Sequence, residues 1–269
     1  MSPGPSPLVQ AARLFATQLR ISGMAAMQYR VGFWSEGLLS VLWSLIGVVP
    51  LVIAVEHRGD VVGWGPWQLM VLTGFFMMIS GVFGALVQPA LVESMHHIRR
   101  GTLDHVLLRP ADSLVLCLTT EFNPWRFVEV LFGAGLVAVS LWQLAATPRL
   151  IDLAAVALSG LAGVLALYAL GVLCLCLSFS AQQLQNLTML IESTLDFSRW
   201  PIDVFSGLLK AVFTFVVPLA ILTTYPAQAV LGRLTFGTLL AALGTAAALL
   251  LIARLSWRVA LRGYTSASS

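Results

Sequence analysis

Lysine is nearly missing from this sequence: Lys210 is the only one, and charged residues of both signs make up just 10% of the 269 positions. A water-soluble domain carries about 25% charged residues, because charge keeps its surface hydrated. With 58% hydrophobic residues and a mean hydropathy of +0.90, the chain has too little polar surface to cover a globule in water. Its arginines are scattered, so no stretch can track a phosphate backbone, and nucleic acid is excluded as a partner. Cysteine is equally sparse. Cys117, Cys174 and Cys176 form no C-x-x-C pair and lie in or near apolar runs, which reads as reduced structural thiols, with neither a disulfide frame nor a metal site. No basic region followed by an apolar core and a small-residue cleavage site opens the chain, so no removable signal peptide is expected.

Reactive motifs are missing too. There is no G-x-x-x-x-G-K-[ST] phosphate loop, so the chain cannot hydrolyse ATP by that route, and there is no G-x-S-x-G or H-E-x-x-H pattern. No residue is assigned a catalytic, cofactor-binding or metal-binding role. His96, His97 and His105 lack zincin spacing and read as solvated loop histidines. A membrane enzyme or assembly factor would have only Glu93, His96 and His97 as a starting point.

What is present is a series of long apolar runs. A helix needs about 20 apolar residues to cross about 30 Å of hydrocarbon. Spans are expected at about Gly37 to Val55, Trp67 to Val92, Phe127 to Ala146, Leu153 to Phe179 and Phe236 to Ala253. One more must lie between Ala181 and Tyr225. Ten arginines (Arg13, Arg20, Arg30, Arg99, Arg100, Arg109, Arg126, Arg254, Arg258 and Arg262) fall on one side of this scheme and three (Arg58, Arg149 and Arg233) on the other; Arg199 and Lys210 depend on the fifth span. The arginine-rich side is cytoplasmic by the positive-inside rule, so both termini are inside and the span count is even: six. Trp34, Trp125 and Trp257 at inner ends and Trp64, Trp67 and Trp142 at outer ends fit interfacial belts.

Three segments carry more than hydrophobicity. Within residues 1–30, Leu8, Ala12, Phe15 and Leu19 form one face and Arg13, Thr17 and Arg20 another, as in an amphipathic helix lying in the interface. In the inner loop, Gly101-Thr102 can start a short helix, at about 98–112, that Arg109-Pro110 would stop. Its Leu103, Val106, Leu107 and Leu108 make an apolar stripe beside Asp104, suited to docking into a groove on a soluble partner. The third segment places Gln182, Gln185, Glu192, Asp196, Arg199 and Asp203 on one helix face, with Trp200-Pro201 ending or kinking the helix. It either crosses the membrane with that stripe towards a polar route, or lies on the inner surface while Phe205 to Tyr225 crosses.

The inner-loop sequence G-T-L-D-x-x-L-L-R-P (Gly101 to Pro110) and the later L-L-K-x-V-F-T-F-V-V-P-L-A (Leu208 to Ala220), followed by Tyr225-Pro226-Ala227, resemble the ABC-type exporter permeases of the second class. The likeness is closest to a bacterial subfamily of this length in which two permease chains assemble with two ATPase subunits. It implies an all-α, six-span permease domain over 31–262 in the bacterial cytoplasmic membrane; the Ser-rich tail at 263–269 matches nothing in the family and is expected to be disordered. It further implies that Gly101, Thr102, Leu103, Asp104, Val106, Leu107, Leu108, Arg109 and Pro110 form the coupling helix that contacts the ATPase. Residues of about 181–233 would hold the fifth span and an outer re-entrant hairpin around Phe205 to Arg233, with Pro218 and Pro226 at an outer gate. Gln182, Gln185, Glu192, Asp196 and Arg199 are the candidate pathway lining. The implied partners are an ABC ATPase that holds ATP and Mg, a second permease chain (a copy or a sister), the lipid bilayer, and a small amphipathic or hydrophobic substrate; this chain itself carries no cofactor. The rival reading is a stand-alone ion-coupled secondary transporter using Glu192 and Asp196, which inverted repeats would support but the sequence does not display.

Overall fold

The computed structural model of the chain describes residues 61–104, 108, 113–117, 121–180 and 187–262, with shorter stretches and single positions between 17 and 49. The chain is all-helical, and no strand forms among the described residues. The helices are α1 (Pro66–Val82), α2 (Gln88–Arg100), α3 (Ser113–Cys117), α4 (Phe127–Gln143), α5 (Leu150–Ser180), α6 (Leu187–Asp196), α7 (Gly207–Ala211), α8 (Tyr225–Val230) and α9 (Phe236–Arg262). A turn at Phe83–Val87 joins α1 to α2, giving one rod over Pro66–Arg100. That rod and the helices at Pro124–Gln143, Leu150–Phe179 and Phe236–Arg262 are long and apolar enough to cross a membrane.

Where the first span is expected, about Gly37 to Val55, an apolar helix runs over Gly37–Gly47, too short by itself to cross a membrane, and residues 50–60 lie outside the described residues. The fifth is not a single rod. After α6 come tight turns at Phe197–Arg199 and Ile202–Val204, then α7 and a wide turn at Val212–Val216. The chain breaks at Val217-Pro218, and a second wide turn at Ala220–Thr224 leads into α8. Of the amphipathic segment read over 1–30, Thr17, Arg20, Ile21 and Met24 are described, each helical and exposed. The rest of it, and residues 263–269, lie outside the described residues.

The wide turns have one cause. In each, the residue before a proline donates its N–H five residues back: Gln88 to Phe83, Val217 to Val212 and Tyr225 to Ala220. Pro89, Pro218 and Pro226 have no N–H for the carbonyl four residues back, and their rings crowd that carbonyl, so the preceding turn widens into a π-helical one. At Pro89 the carbonyl left over is that of Ala85. It accepts the backbone N–H of Asn123 at 2.9 Å, which ties the rod to the start of α4.

Lipid offers no hydrophobic drive for helices to associate, so close approach depends on small residues. α1 and α4 meet at Gly74, Gly81 and Gly133. A Cβ on Gly133 would stand 2.5 Å from the Gly74 carbonyl oxygen, whereas Gly135, two residues along α4, faces open space. We therefore expect Gly133→Val to push these helices apart at a cost of about 1–3 kcal/mol or more, read as a lowered unfolding midpoint of detergent-purified protein. Gly135→Val should stay near wild type; equal loss in both would refute the close-packing argument.

One apolar core runs from Ile79 along the rest of the α1–α2 rod and joins it to α5, α6 and α9; a second joins Trp64, Leu69, Leu72 and Phe75 to Ala227 and Val230 at the opposite end. Two of the tryptophans read as interfacial are buried within the chain. Trp64 is buried in the second core, and Trp257 is buried against Phe179, ring centres 5.7 Å apart, donating to the Ser113 hydroxyl at 3.2 Å. Each ring fills space between helices. Trp34 and Trp142 are exposed.

Candidate functional site

The π-helical turn at Phe83–Val87 opens one side of the rod towards α4 and α6, and a cavity of about 340 Å³ sits there. Its polar walls come from three elements: Ser80 and Gln88 on the rod, Arg126 and Glu129 at the start of α4, and Glu192, Asp196 and Arg199 on α6 and the turn after it. Phe76, Phe83 and Leu195 supply apolar wall, and Trp43 of the Gly37–Gly47 helix stands at the edge. A larger groove of about 460 Å³ between α1 and α4, lined by Met77, Leu131, Phe132, Gly135, Leu136 and Val139, is apolar and offers no chemistry.

Gly84 makes room for the Arg126 side chain, whose Cδ and Nε would lie 3.0 Å from a Cβ placed there. Arg126 faces Glu129 at 3.5 Å, and the Glu129 side chain is only 16% exposed. Arg199 pairs with Asp196 at 3.0 Å and lies over the Phe76 ring, 4.5 Å from its centre. Gln88 donates its amide to the Glu192 carboxylate across the gap between rod and α6. Among the described residues the buried Arg199 Nε has no hydrogen-bond partner. An ionised group in a membrane span costs free energy unless it is paired, so such groups face the interior or a polar cavity. That is where these lie.

Of the expected pathway residues, the structure brings Glu192, Asp196 and Arg199 together; Gln182 and Gln185 lie outside the described residues. Asp203 falls beyond Trp200-Pro201 and pairs with Lys210 at 2.9 Å, apart from the cavity lining, because the helix ends before it. Gln88, Arg126 and Glu129 were missed by the sequence reading. Glu129 carried a usable signal, an acid three residues into an apolar run, whereas Arg126 looked like a topology anchor. Pro218 and Pro226 are both buried: Pro218 at the break, Pro226 in the second half of the helix–break–helix segment. Thr223 donates to the Ser198 carbonyl at 2.7 Å, and the Ile202 N–H donates to the Thr224 hydroxyl at 3.3 Å, so α8's approach is bonded to the turns after α6.

The inner loop differs in part from its sequence reading. Gly101 does not start a helix; it ends α2. With φ +65° it takes the left-handed position, its N–H bonding Ile98 and the Thr102 N–H bonding His97, the two bonds of a Schellman cap. The apolar stripe is also divided. Leu103 is fully buried in the bundle core, so it anchors the loop and cannot present a docking face, whereas Leu108 is 82% exposed. The Leu108 N–H bonds the Asp104 carbonyl at 3.0 Å, one helical turn. Val106, Leu107, Arg109 and Pro110 lie outside the described residues. His97 pairs with Glu93 at 3.4 Å and meets the Thr102 hydroxyl at 2.8 Å.

α3 fastens this loop to the bundle. The buried Ser94 hydroxyl donates to the Cys117 carbonyl at 2.7 Å, and Ser113 accepts from Trp257. Burial, partly offset by Ser94, pushes the Cys117 thiol up to about 11, so it stays protonated and unreactive at neutral pH. Nearby Glu121 is raised above the usual carboxylate range by burial and then by Glu93, with His96 opposing.

A family model described as "ABC-2 family transporter protein" matches residues 41–268. No match is found among curated proteins or among solved structures.

Proposed function

Because the chain belongs to the ABC-2 family of transporter proteins, and is thus the multi-pass membrane permease of an ABC transporter, we propose that it works as an exporter subunit driven by a separate ATPase. In this reading two permease chains, copies or sisters, enclose the pathway, and the partner ATPases hold ATP and Mg. The observation that carries it is the inner loop. Leu103 and α3 lock it into the bundle, while Leu108 projects from it. A groove on a soluble partner that grips Leu108 would pull on α2 through the Gly101 cap and on α9 through Ser113 and Trp257. Two-sided attachment of this kind is what mechanical coupling requires.

In the same reading the chain sits in the bacterial cytoplasmic membrane, and the positive-inside rule favours an arginine-rich cytoplasmic end, with this loop and both termini inside. Six spans follow if α6, with the residues before it, makes the fifth. The helix–break–helix segment after it then re-enters from outside. Two observations support this: Val217 lines one small pocket with Leu167, Leu170 and Cys174 of α5, while Arg233 reaches Gln68 at the opposite end at 3.0 Å. Pro218 and Pro226 would shape the outer gate, and the polar cavity would line the route with Glu192, Asp196 and Arg199.

ATP hydrolysis by a complex purified through this chain tests the proposal. It should fall to background when the phosphate-loop lysine of the co-purified ATPase is replaced. Hydrolysis by the chain alone, or hydrolysis indifferent to that lysine, would overturn it.

A further inference from the structure

The last helix carries a face that neither the bundle nor the polar cavity uses. α9 runs for 27 residues, about 40 Å at about 1.5 Å per residue, whereas the hydrocarbon is about 30 Å thick. A crossing that starts at Phe236 is complete near Leu255, after about 20 residues. Arg258 and Arg262 then stand beyond it, at headgroup depth. Ala246, Leu249, Ala253 and Trp257 are buried and hold the helix against the bundle, the Trp257 indole being bonded to Ser113.

On another side, Leu251, Leu255, Arg258 and Arg262 follow one another at spacings of four, three and four, which stacks them along one helix face. All four are exposed, Leu251 by 61% and Leu255 by 50%. The face is apolar within the hydrocarbon and cationic at its edge, which is the order of acyl chain and phosphate in a phospholipid. Helical side chains tilt towards the helix N-terminus, so these two arginines lean back towards the bilayer. Their Cβ atoms, four residues apart, are about 6 Å from each other, close enough for both guanidinium groups to meet one phosphate.

Charge complementarity selects the headgroup. No Asp or Glu occurs from Phe236 to Ser269, and among the described residues no carboxylate pairs with Arg258 or Arg262. A zwitterionic lipid would bring its own cation up to the arginines, whereas an anionic one brings none. Setting the topology needs only the arginine count and is indifferent to leucines in register below the arginines. An acidic soluble partner could meet the arginines, but Leu251 lies at hydrocarbon depth, where it could not follow.

We propose that this face of α9 is a binding surface for an anionic phospholipid, its phosphate between Arg258 and Arg262 and an acyl chain along Leu255 and Leu251. The assignment goes beyond the permease reading. Only the leaflet, the cytoplasmic one, follows from the orientation argued there.

The test is native mass spectrometry of the assembly purified through this chain in a neutral detergent, without nucleotide. It is titrated with phosphatidylglycerol, with phosphatidylcholine of the same chains, and with tail-less glycerol phosphate. An arginine near an anionic surface contributes about fivefold in affinity. Phosphatidylglycerol should therefore bind about tenfold or more tighter than phosphatidylcholine, and glycerol phosphate should show no saturable binding. Arg258→Gln/Arg262→Gln, two changes at exposed positions, should bring the two lipids within about twofold of each other. Arg149→Gln/Arg233→Gln removes the same net charge at the opposite end and should leave the preference intact. Equal binding of the two lipids by the wild type would overturn the proposal, and so would a second permease chain found to cover this face. Equal loss in the opposite-end variant would reduce the effect to net charge and overturn the site. Glycerol phosphate binding as tightly as phosphatidylglycerol would overturn the lipid. None of these outcomes depends on ATP coupling, which the hydrolysis assay reads on its own.

Discussion

Replacing Arg126 with leucine is expected to lower the folded fraction in mild detergent, and adding Glu129→Gln to restore most of it. Arg126 is the near cation for a Glu129 side chain that is 16% exposed, held 3.5 Å away and given its space by Gly84. Breaking a fully buried ion pair by removing one partner costs about 3–5 kcal/mol; with Arg126 40% exposed, and with Ser80 and Arg199 also interacting with Glu129, the loss expected here is about 1–3 kcal/mol. Total stability is only about 5–15 kcal/mol, so such a loss is large. Glu129→Gln alone should be mild, since the Arg126 side chain is 40% exposed and its long stem can carry the charge towards water. The measurement is the monodisperse fraction after a thermal ramp for the wild type, both single variants and the double. If Arg126→Leu and the double variant lose equally, the pair is not what Arg126 supports.

Leu108→Asp is expected to abolish coupling to the ATPase while leaving insertion and folding intact. The side chain is 82% exposed on a loop otherwise held by buried contacts, so a charge there disturbs nothing within the chain. At a docking surface the same charge would be forced against an apolar groove. Truncating or charging a central anchor typically costs 2 kcal/mol or more, about a thirtyfold or greater loss in affinity for the ATPase. Leu103→Asp, five residues earlier, should act differently. That position is fully buried in the main core, so the variant should fail to fold. Measured yields and ATPase binding should separate the two positions. A Leu108→Asp complex that assembles and hydrolyses ATP normally would remove the loop from the coupling path.

Span positions were legible in the sequence because hydrocarbon thickness sets a length, and four of the expected rods are present close to their predicted bounds. The fifth was not, because hydropathy reports how apolar a stretch is and says nothing of whether a proline widens it. Pro89 illustrates the same limit in a rod that does not break: its effect appears only through the Ala85 carbonyl and the Asn123 N–H that meets it. Burial within a loop was equally hidden. Leu103 and Leu108 look alike in the sequence, and only α3 and the α2 cap decide which points inward. The cavity was half visible. Periodicity placed Glu192, Asp196 and Arg199 together, but Gln88 and Arg126 come from elements far away in the chain, and nothing in local spacing announces a long-range partner.

The most direct test of the account is the intact mass of the assembly purified through this chain and released gently from its membrane. The account predicts a particle of two permease chains and two copies of a nucleotide-binding subunit. A chain that emerges from native membranes by itself, still able to move a solute down an ion gradient, would contradict it.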